Sequence, residues 1–127
     1  MKRFLLFFVL MMSVVPAFAG RIIPNYLTLL QIKDVDLSTM QIKLINAKDG
    51  FITRAIKKPY QLRVAKTVRI RDENNRGVTY NKLPNFKNKI VAIRFNPQKQ
   101  INEILILSDE EVEQNLLRIK EQEWDPR

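Results

Sequence analysis

Apolar and polar residues alternate in short runs along most of the chain, and polar turn residues separate the runs. The alternation is clear in residues 30–33 and again in residues 40–44, with residues 34–39 between them. A period of two puts one kind of side chain on one face of a strand. The two runs therefore predict a β-hairpin.

Later runs predict the remaining strands. Lys48-Asp49-Gly50 predicts a turn, and residues 51–56 predict a strand that ends near Pro59, because proline lacks the N–H that a central strand needs. The same alternation predicts strands at residues 62–70, 90–95 and 101–107, with turns at residues 72–77 and 96–97 and with Leu83 and Phe86 closing one end of a core.

Five or six strands at this spacing favour a closed sheet over a flat one, because closure removes exposed strand edges. The prediction is a mainly β protein: a small five- to six-stranded antiparallel OB-like barrel in residues 20–107.

The period changes after Leu107. Ser108 and Glu111 have the spacing of a capping box, with acidic residues in the first helical turn. Val112, Leu116 and Ile119 then recur at helical spacing, while Leu117 and Trp124 lie seven residues apart on a second stripe. Residues 108–127 therefore predict a C-terminal amphipathic α-helix that packs on the barrel.

The N-terminus predicts export. Residues 1–3 carry two basic residues, residues 4–15 are apolar, and Ala17-Phe18-Ala19 is a small-x-small cleavage site. A membrane-spanning anchor is the alternative, but a span needs about 20 apolar residues and this run stops at Pro16. We expect a signal peptide in residues 1–19, cleavage before Gly20, and a periplasmic or secreted mature protein with no transmembrane anchor.

The order of the segments MQIKLINAKDG, TVRIRDENNRG and KLPNFKNKIVAIRFNPQKQINEILIL resembles small secreted β-barrel domains of unknown function in bacterial envelope proteins. The resemblance covers residues 27–107. It implies a periplasmic barrel that is not an enzyme. The chain departs from the pattern at Asn88, where such domains have glycine near the end of the loop before the penultimate strand.

The available side chains limit the chemistry. The chain has no histidine and no cysteine, which removes the usual zinc, copper and haem ligands and the common Ser-His and Cys-His nucleophile systems. Ser38 and Ser108 fit turn and cap positions. The carboxylate pairs Asp34 with Asp36 and Asp72 with Glu73 lie in predicted turns. We therefore expect no catalytic residues, no metal site and no cofactor.

Charge is distributed unevenly along the chain. Residues 20–107 contain 17 Lys and Arg against six Asp and Glu, whereas residues 108–127 contain three against seven. The basic charge is densest in the stretch RAIKKPYQLRVAKTVRIRD, which predicts an anion- or partner-binding face made of Arg54, Lys57, Lys58, Arg63, Lys66, Arg69 and Arg71.

Val68 and Ile70 are expected to point inward and their arginine neighbours outward, with Tyr60 and Tyr80 as stacking groups. The alternative is a solvated strand face that the acidic helix partly neutralises.

Two functional hypotheses follow. The first is a periplasmic, non-catalytic binding or assembly module, accessory to an envelope structure such as a secretion or pilus machine, with an envelope protein or anionic envelope polymer as partner. The second is an OB-like barrel that binds nucleic acid or another polyanion.

Overall fold

The computed structural model describes residues 21–51, 59–122 and 124. Five strands lie in these ranges: β1 (Thr28–Asp36), β2 (Gln41–Asn46), β3 (Tyr60–Arg71), β4 (Ile90–Phe95) and β5 (Ile101–Ile106). They close into a barrel in the order β1-β2-β3-β5-β4, and β4 pairs with β1 to complete the circle. The predicted small OB-like barrel is confirmed.

One strand pair differs from the prediction of an antiparallel barrel. β3 and β5 run parallel, whereas the pairs β1–β2, β2–β3, β1–β4 and β4–β5 are antiparallel. The difference arises because β3 and β5 are not consecutive strands. After β3 the chain runs through residues 72–89 and then along β4, and β5 turns back from β4 in the direction of β3.

The predicted strand at residues 51–56 is not tested, because residues 52–58 lie outside the described ranges. Phe51 itself ends a 3-10 helix, Ala47–Phe51, which occupies the place of the predicted turn. The turn at residues 72–77 is present, since the Asp72 carboxylate accepts hydrogen bonds from the backbone N–H groups of Asn74 and Arg76, both at 2.9 Å.

The barrel interior holds what we call the inner cluster. Its members are buried side chains from all five strands and the second 3-10 helix, Tyr80–Phe86: Leu30, Ile32, Ile42, Leu44, Val64, Ile70, Leu83, Val91, Ile93, Ile101, Ile104 and Ile106. Leu83 is fully buried and Phe86 packs against the cluster. The predicted closure of the core by these two residues is therefore confirmed.

Leu29, Ile90, Ala92 and Leu105 point out of the barrel from β1, β4 and β5, and they pack with residues outside the sheet in what we call the outer cluster. It consists of Ile23, Leu27, Leu29, Ala47, Ile90, Ala92, Leu105, Leu107 and Ile119, with Val112 packed against it. Because Ile119 is a helical residue that is only 1% exposed, the C-terminal helical segment covers this apolar side of the barrel.

That segment is a pair of short helices and not the single helix that was predicted. α1 (Asp109–Gln114) begins with the predicted capping box: the Ser108 side chain accepts from the Glu111 backbone N–H, and the Glu111 carboxylate accepts from the Ser108 N–H. The break is at Asn115, whose side-chain amide donates to the Glu111 carbonyl at 2.7 Å, and α2 (Leu116–Glu121) follows. Such side-chain bonds compete with continuous helical bonding.

The break corrects two predictions about helical stripes. Leu116 is only half-buried and lies outside both clusters, whereas Ile119 is buried as expected. Leu117 is 70% exposed, so it shares no buried stripe with Trp124. Trp124 lies beyond the end of α2 and packs against the inner cluster, with its ring stacked on Phe95 at 5.3 Å.

Two partly buried arginines connect the N-terminal segment to these helices. Arg21 Nε donates to Glu111 Oε2 at 2.9 Å. The Arg118 guanidinium donates to backbone carbonyls of the N-terminal segment, namely those of Ile23, Pro24, Asn25 and Leu27. Burial lowers the pKa of Arg118. These contacts join residues about 90 positions apart in sequence.

Candidate binding groove

A groove opens where the β1–β2 loop, the middle of β3 and the β4–β5 loop meet. Its volume is about 520 Å³. The loops that flank it are the ones that OB-fold proteins use to hold their ligands. We call it the first groove, and none of its described lining residues is acidic: Ser38, Thr39, Met40, Arg63, Val64, Ala65, Lys66, Thr67, Asn96 and Gln100.

Asp36 organises the β1–β2 loop at one wall of the first groove. Its Oδ1 accepts hydrogen bonds from the Ser38 hydroxyl at 2.7 Å, from the Ser38 N–H at 3.0 Å and from the Thr39 N–H at 3.3 Å. Its backbone carbonyl accepts from the Tyr80 hydroxyl at 3.2 Å. The loop is thus tied both to itself and to the second 3-10 helix.

Asn96 has the same role in the β4–β5 loop at the opposite wall. Its Oδ1 accepts from the backbone N–H groups of Gln98 at 3.0 Å and of Gln100 at 2.9 Å. Lys99 takes a positive φ of 63° in this loop. Asparagine side chains that bond the backbone two residues on are a common way to fix a tight turn. Both walls of the groove are therefore held by local side-chain bonds.

The Ser38 hydroxyl is the main reason that the pKa of Asp36 lies below its ordinary value of 3.8, and the backbone and side chain of Thr39 lower it further. A carboxyl whose folded-state pKa is depressed stabilises the fold above its unfolded pKa, and this contribution is lost as the pH falls through the folded pKa. The β1–β2 loop should therefore keep its structure at neutral pH and loosen only below about pH 4.

We expect Ser38→Ala to raise the pKa of Asp36 towards its ordinary value, because the variant removes the strongest hydrogen bond to the charged form. An NMR titration of the Asp36 side chain in both proteins measures this. The backbone amide signals of Asn74 and Arg76, which bond the Asp72 carboxylate in another turn, show whether the rest of the fold is unchanged. An unchanged titration of Asp36 would contradict the role given to Ser38.

A second groove, of about 400 Å³, follows the first along β3. It is lined by Val68, Arg69, Ile70, Arg71, Gly77, Val78 and Thr79. The first groove is lined by residues 63–67 of β3 and the second by residues 68–71. The grooves therefore lie end to end on one strand.

The structure places four of the seven predicted basic site residues on this strand, all exposed: Arg63 and Lys66 in the first groove, and Arg69 and Arg71 in the second. The predicted orientation of the strand is confirmed, since Ile70 is buried and Val68 half-buried between the exposed arginines. Arg54, Lys57 and Lys58 lie outside the described residues.

The acidic helix does not neutralise these four residues. Glu111 pairs with Arg21, while Glu73 pairs with Lys89 and Glu103 with Arg94. Among the residues that the structure describes, Arg63, Lys66, Arg69 and Arg71 form no ion pair. Their charges are therefore open to solvent in both grooves.

The two tyrosines predicted as stacking groups have other contacts. The Tyr60 ring packs edge-on against Trp124, with centroids 5.5 Å apart. The Tyr80 hydroxyl is bonded to Asp36, and burial raises the Tyr80 pKa, with the Asp36 charge as a further cause. Within the described part of the chain, the linings of both grooves include no aromatic side chain. The prediction of stacking groups is wrong for this surface.

The serines and carboxylates that the sequence offers for chemistry have structural contacts. Ser38 bonds Asp36, and Ser108 caps α1. The Asp34 carboxylate accepts from the Val35 N–H at 2.9 Å. Within the described ranges, no three His, Cys, Asp or Glu side chains are grouped so that they could hold a metal ion. The described helices include none with the length and apolar character that crossing a membrane requires.

Comparisons of the chain with protein-family models, with curated proteins and with solved structures found no match. The functional argument therefore depends on the geometry of the two grooves.

Proposed function

We propose that the protein is an exported, non-catalytic binding module, an accessory to an envelope structure, that holds an anionic partner along β3. The observation that carries the proposal is the charge of the two grooves. Four exposed basic side chains line them, and of the lining residues that the structure describes none is acidic. Clefts lined by charge of one sign concentrate ligands of the opposite sign.

The chemistry of the first groove supports binding over catalysis. Its polar groups are hydroxyls, amides, one guanidinium and one ammonium, which can donate hydrogen bonds to carboxylate or sulfate oxygens. It has no carboxylate or imidazole to move a proton at neutral pH. The loops on both sides are held by local side-chain hydrogen bonds, which suits a preformed binding site.

Nucleic acid is the weaker candidate for this surface. Proteins that bind single strands combine basic grooves with aromatic side chains on which the bases stack. The lining of both grooves supplies the charge without the aromatic groups. An anionic partner that needs no base stacking therefore fits better.

Reversing the charge of the first groove tests the proposal. The double variant Arg63→Glu/Lys66→Glu should elute from a dextran sulfate column at lower salt than the unchanged protein. The slope of the logarithm of its affinity against the logarithm of salt concentration should fall by about two, one for each lost basic group. Both side chains are exposed, so the free energy of unfolding in urea should change by less than about 0.5 kcal/mol for each substitution.

Lys120→Glu is the matched control. Lys120 is an exposed residue of α2 that is not among the lining residues of either groove. Its substitution by Glu changes the net charge of the protein as much as each single groove substitution does. Retention of this variant should fall far less. If the control and groove variants lose retention equally per charge, net charge alone governs binding and the proposed site is wrong.

Export itself is tested by processing. The basic N-terminus, the apolar run and Ala17-Phe18-Ala19 predict that the mature chain begins at Gly20. Mass spectrometry of protein recovered from the periplasm should give the mass of residues 20–127. Mature material that retains Met1 would contradict the export assignment, and the binding assays above would be unaffected by that result.

A further inference from the structure

The first groove presents hydrogen-bond acceptors as well as donors. The Ser38 hydroxyl lies 2.7 Å from Asp36 Oδ1, and the Thr67 hydroxyl lies 3.4 Å from Asn102 Oδ1. Carboxylate and amide oxygens only accept hydrogen bonds, so both hydroxyls donate their protons to these oxygens. Neither Asp36 nor Asn102 is among the described lining residues of the groove. The two hydroxyl oxygens therefore keep lone pairs that can accept a hydrogen bond from a ligand.

The donors of the groove are the Arg63 guanidinium, the Lys66 ammonium and the Gln100 side-chain amide. Gln100 Oε1 accepts from Asn96 Nδ2 at 3.3 Å, which turns the amide oxygen towards Asn96. Among the residues that the structure describes, Gln100 Nε2 has no hydrogen-bond partner, so it can donate to a ligand. Charged donors and neutral acceptors therefore line the same groove.

This mixture distinguishes between classes of anion. Ionised phosphate, sulfate and carboxylate groups only accept hydrogen bonds, so they suit the basic side chains but leave the oxygens of Ser38 and Thr67 without a donor. A ligand that satisfies both kinds of group needs acidic groups and hydroxyl donors close together. Sugar acids carry both on each ring.

We propose that the first groove binds a short stretch of an acidic polysaccharide. Its carboxylates contact the two basic side chains, and its ring hydroxyls bond the Ser38 and Thr67 oxygens and the Gln100 amide. The inference rests on the proposed function and names the class of anionic partner for the same site. The groove volume of about 520 Å³ lies within the range of about 300 to 1,000 Å³ that small-ligand sites occupy.

An acidic peptide fits this groove less well. Its carboxylates match the basic side chains, but sites for extended peptides pair the peptide backbone with a strand edge and hold alternate side chains in pockets. The apolar part of the described lining is limited to Met40, Val64 and Ala65, and the last two are buried. Such a lining gives apolar side chains little to hold, whereas hydroxyl and amide groups remain available to a sugar.

Three fluorescein-labelled probes of about ten units each separate the contributions. Oligogalacturonate carries carboxylates and hydroxyls, an amidated oligoglutamate carries the same number of carboxylates without hydroxyls, and a maltooligosaccharide carries hydroxyls alone. Fluorescence anisotropy at one salt concentration gives the three affinities. We expect oligogalacturonate to bind about tenfold more tightly than oligoglutamate, as two additional neutral hydrogen bonds would give. The maltooligosaccharide should bind most weakly.

Thr67→Val tests the hydroxyl contact. Valine keeps the shape of threonine but cannot accept a hydrogen bond, so oligogalacturonate binding should weaken about threefold to tenfold while oligoglutamate binding stays unchanged. Thr79→Val is the matched control, because Thr79 is exposed like Thr67, lines the second groove and makes no side-chain cap bond. Its affinity for oligogalacturonate should equal that of the unchanged protein. Arg63→Glu/Lys66→Glu should weaken the binding of both acidic probes.

The possible outcomes separate this inference from the proposed function. Equal affinities for the two acidic probes, or full oligogalacturonate binding by Thr67→Val, would overturn the saccharide inference and leave charge-based binding intact. Tighter binding of oligoglutamate would overturn it in favour of an acidic peptide. Retention on dextran sulfate without oligogalacturonate binding would likewise overturn only this inference. Failure to bind dextran sulfate and both acidic probes, or a maltooligosaccharide affinity equal to that of oligogalacturonate, would overturn the proposed function itself.

Discussion

Ile119→Ala should lower the free energy of unfolding by about 3 kcal/mol, within the range of about 2 to 5 kcal/mol for Ile→Ala in a core. Ile119 is 1% exposed and is the fully enclosed α2 side chain in the outer cluster, where it meets residues of β1, β4 and β5. The variant would leave a cavity between the helix and the barrel. Urea unfolding followed by tryptophan fluorescence measures the change, because Trp124 packs on the barrel just beyond α2.

Leu117→Ala provides the matched control, since it makes a similar truncation two residues earlier on the same helix. Leu117 is 70% exposed, so the change should stay below about 0.5 kcal/mol. Leu116→Ala should fall between the two because Leu116 is half-buried and outside both clusters. Similar losses for Ile119 and Leu117 would show that α2 does not dock through the outer cluster.

The alternation of side chains predicted the strands well because it reports local burial directly. Ile42 and Leu44 on β2, and Val91 and Ile93 on β4, point into the barrel as their spacing requires. The same alternation says nothing about which strands pair or in which direction. The parallel pairing of β3 with β5 therefore could not be predicted from it.

Two asparagines show how single residues alter local structure. Asn88 adopts a φ of 71°, the left-handed conformation that asparagine tolerates better than most residues. Asn115 interrupts the helix through its bond to Glu111, whereas the apolar stripe alone predicted a continuous helix.

The candidate site was predicted in part. The period of two in residues 63–71 predicted that the arginines would be exposed, because the signal lies within one strand. The walls of the first groove come from loops about 60 residues apart, and only barrel closure brings Ser38 and Asn96 to the same strand. The irregular register of β3 with β5 depends on how the strands pair, which no local pattern contains.

The largely buried ion pair between Arg21 and Glu111 could not be predicted either, because it joins segments that are distant in sequence. The capping box explained Glu111 through its neighbours, and nothing near Glu111 in the sequence indicated a partner 90 residues away. Arg21 lies just after the predicted cleavage site, so the position of cleavage decides whether the pair can form. Cleavage before Gly20 retains Arg21, whereas cleavage two residues later would remove it and leave Glu111 buried without its partner.

Arg21→Met should destabilise the protein by about 3 kcal/mol, as expected when one partner of a largely buried pair is removed. Methionine keeps much of the aliphatic stem, so the loss reports on the guanidinium bonds to the Glu111 carboxylate, whose side chain is 5% exposed, and to the Ile106 carbonyl. Adding Glu111→Gln should recover part of this loss, because glutamine is neutral and can still bond the Ser108 N–H in the capping box. Urea unfolding of both variants and of the single Glu111→Gln variant completes the cycle.

The exposed pair between Lys89 and Glu73 is the control for this cycle. Its nitrogen and oxygen lie 3.0 Å apart, nearly the same as in the buried pair, but the two side chains are 41% and 36% exposed. Lys89→Met should cost no more than about 1 kcal/mol, because water screens the charge that remains. Equal losses at the two sites, or no recovery in the double variant, would show that the charge of Arg21 does not account for its effect on stability.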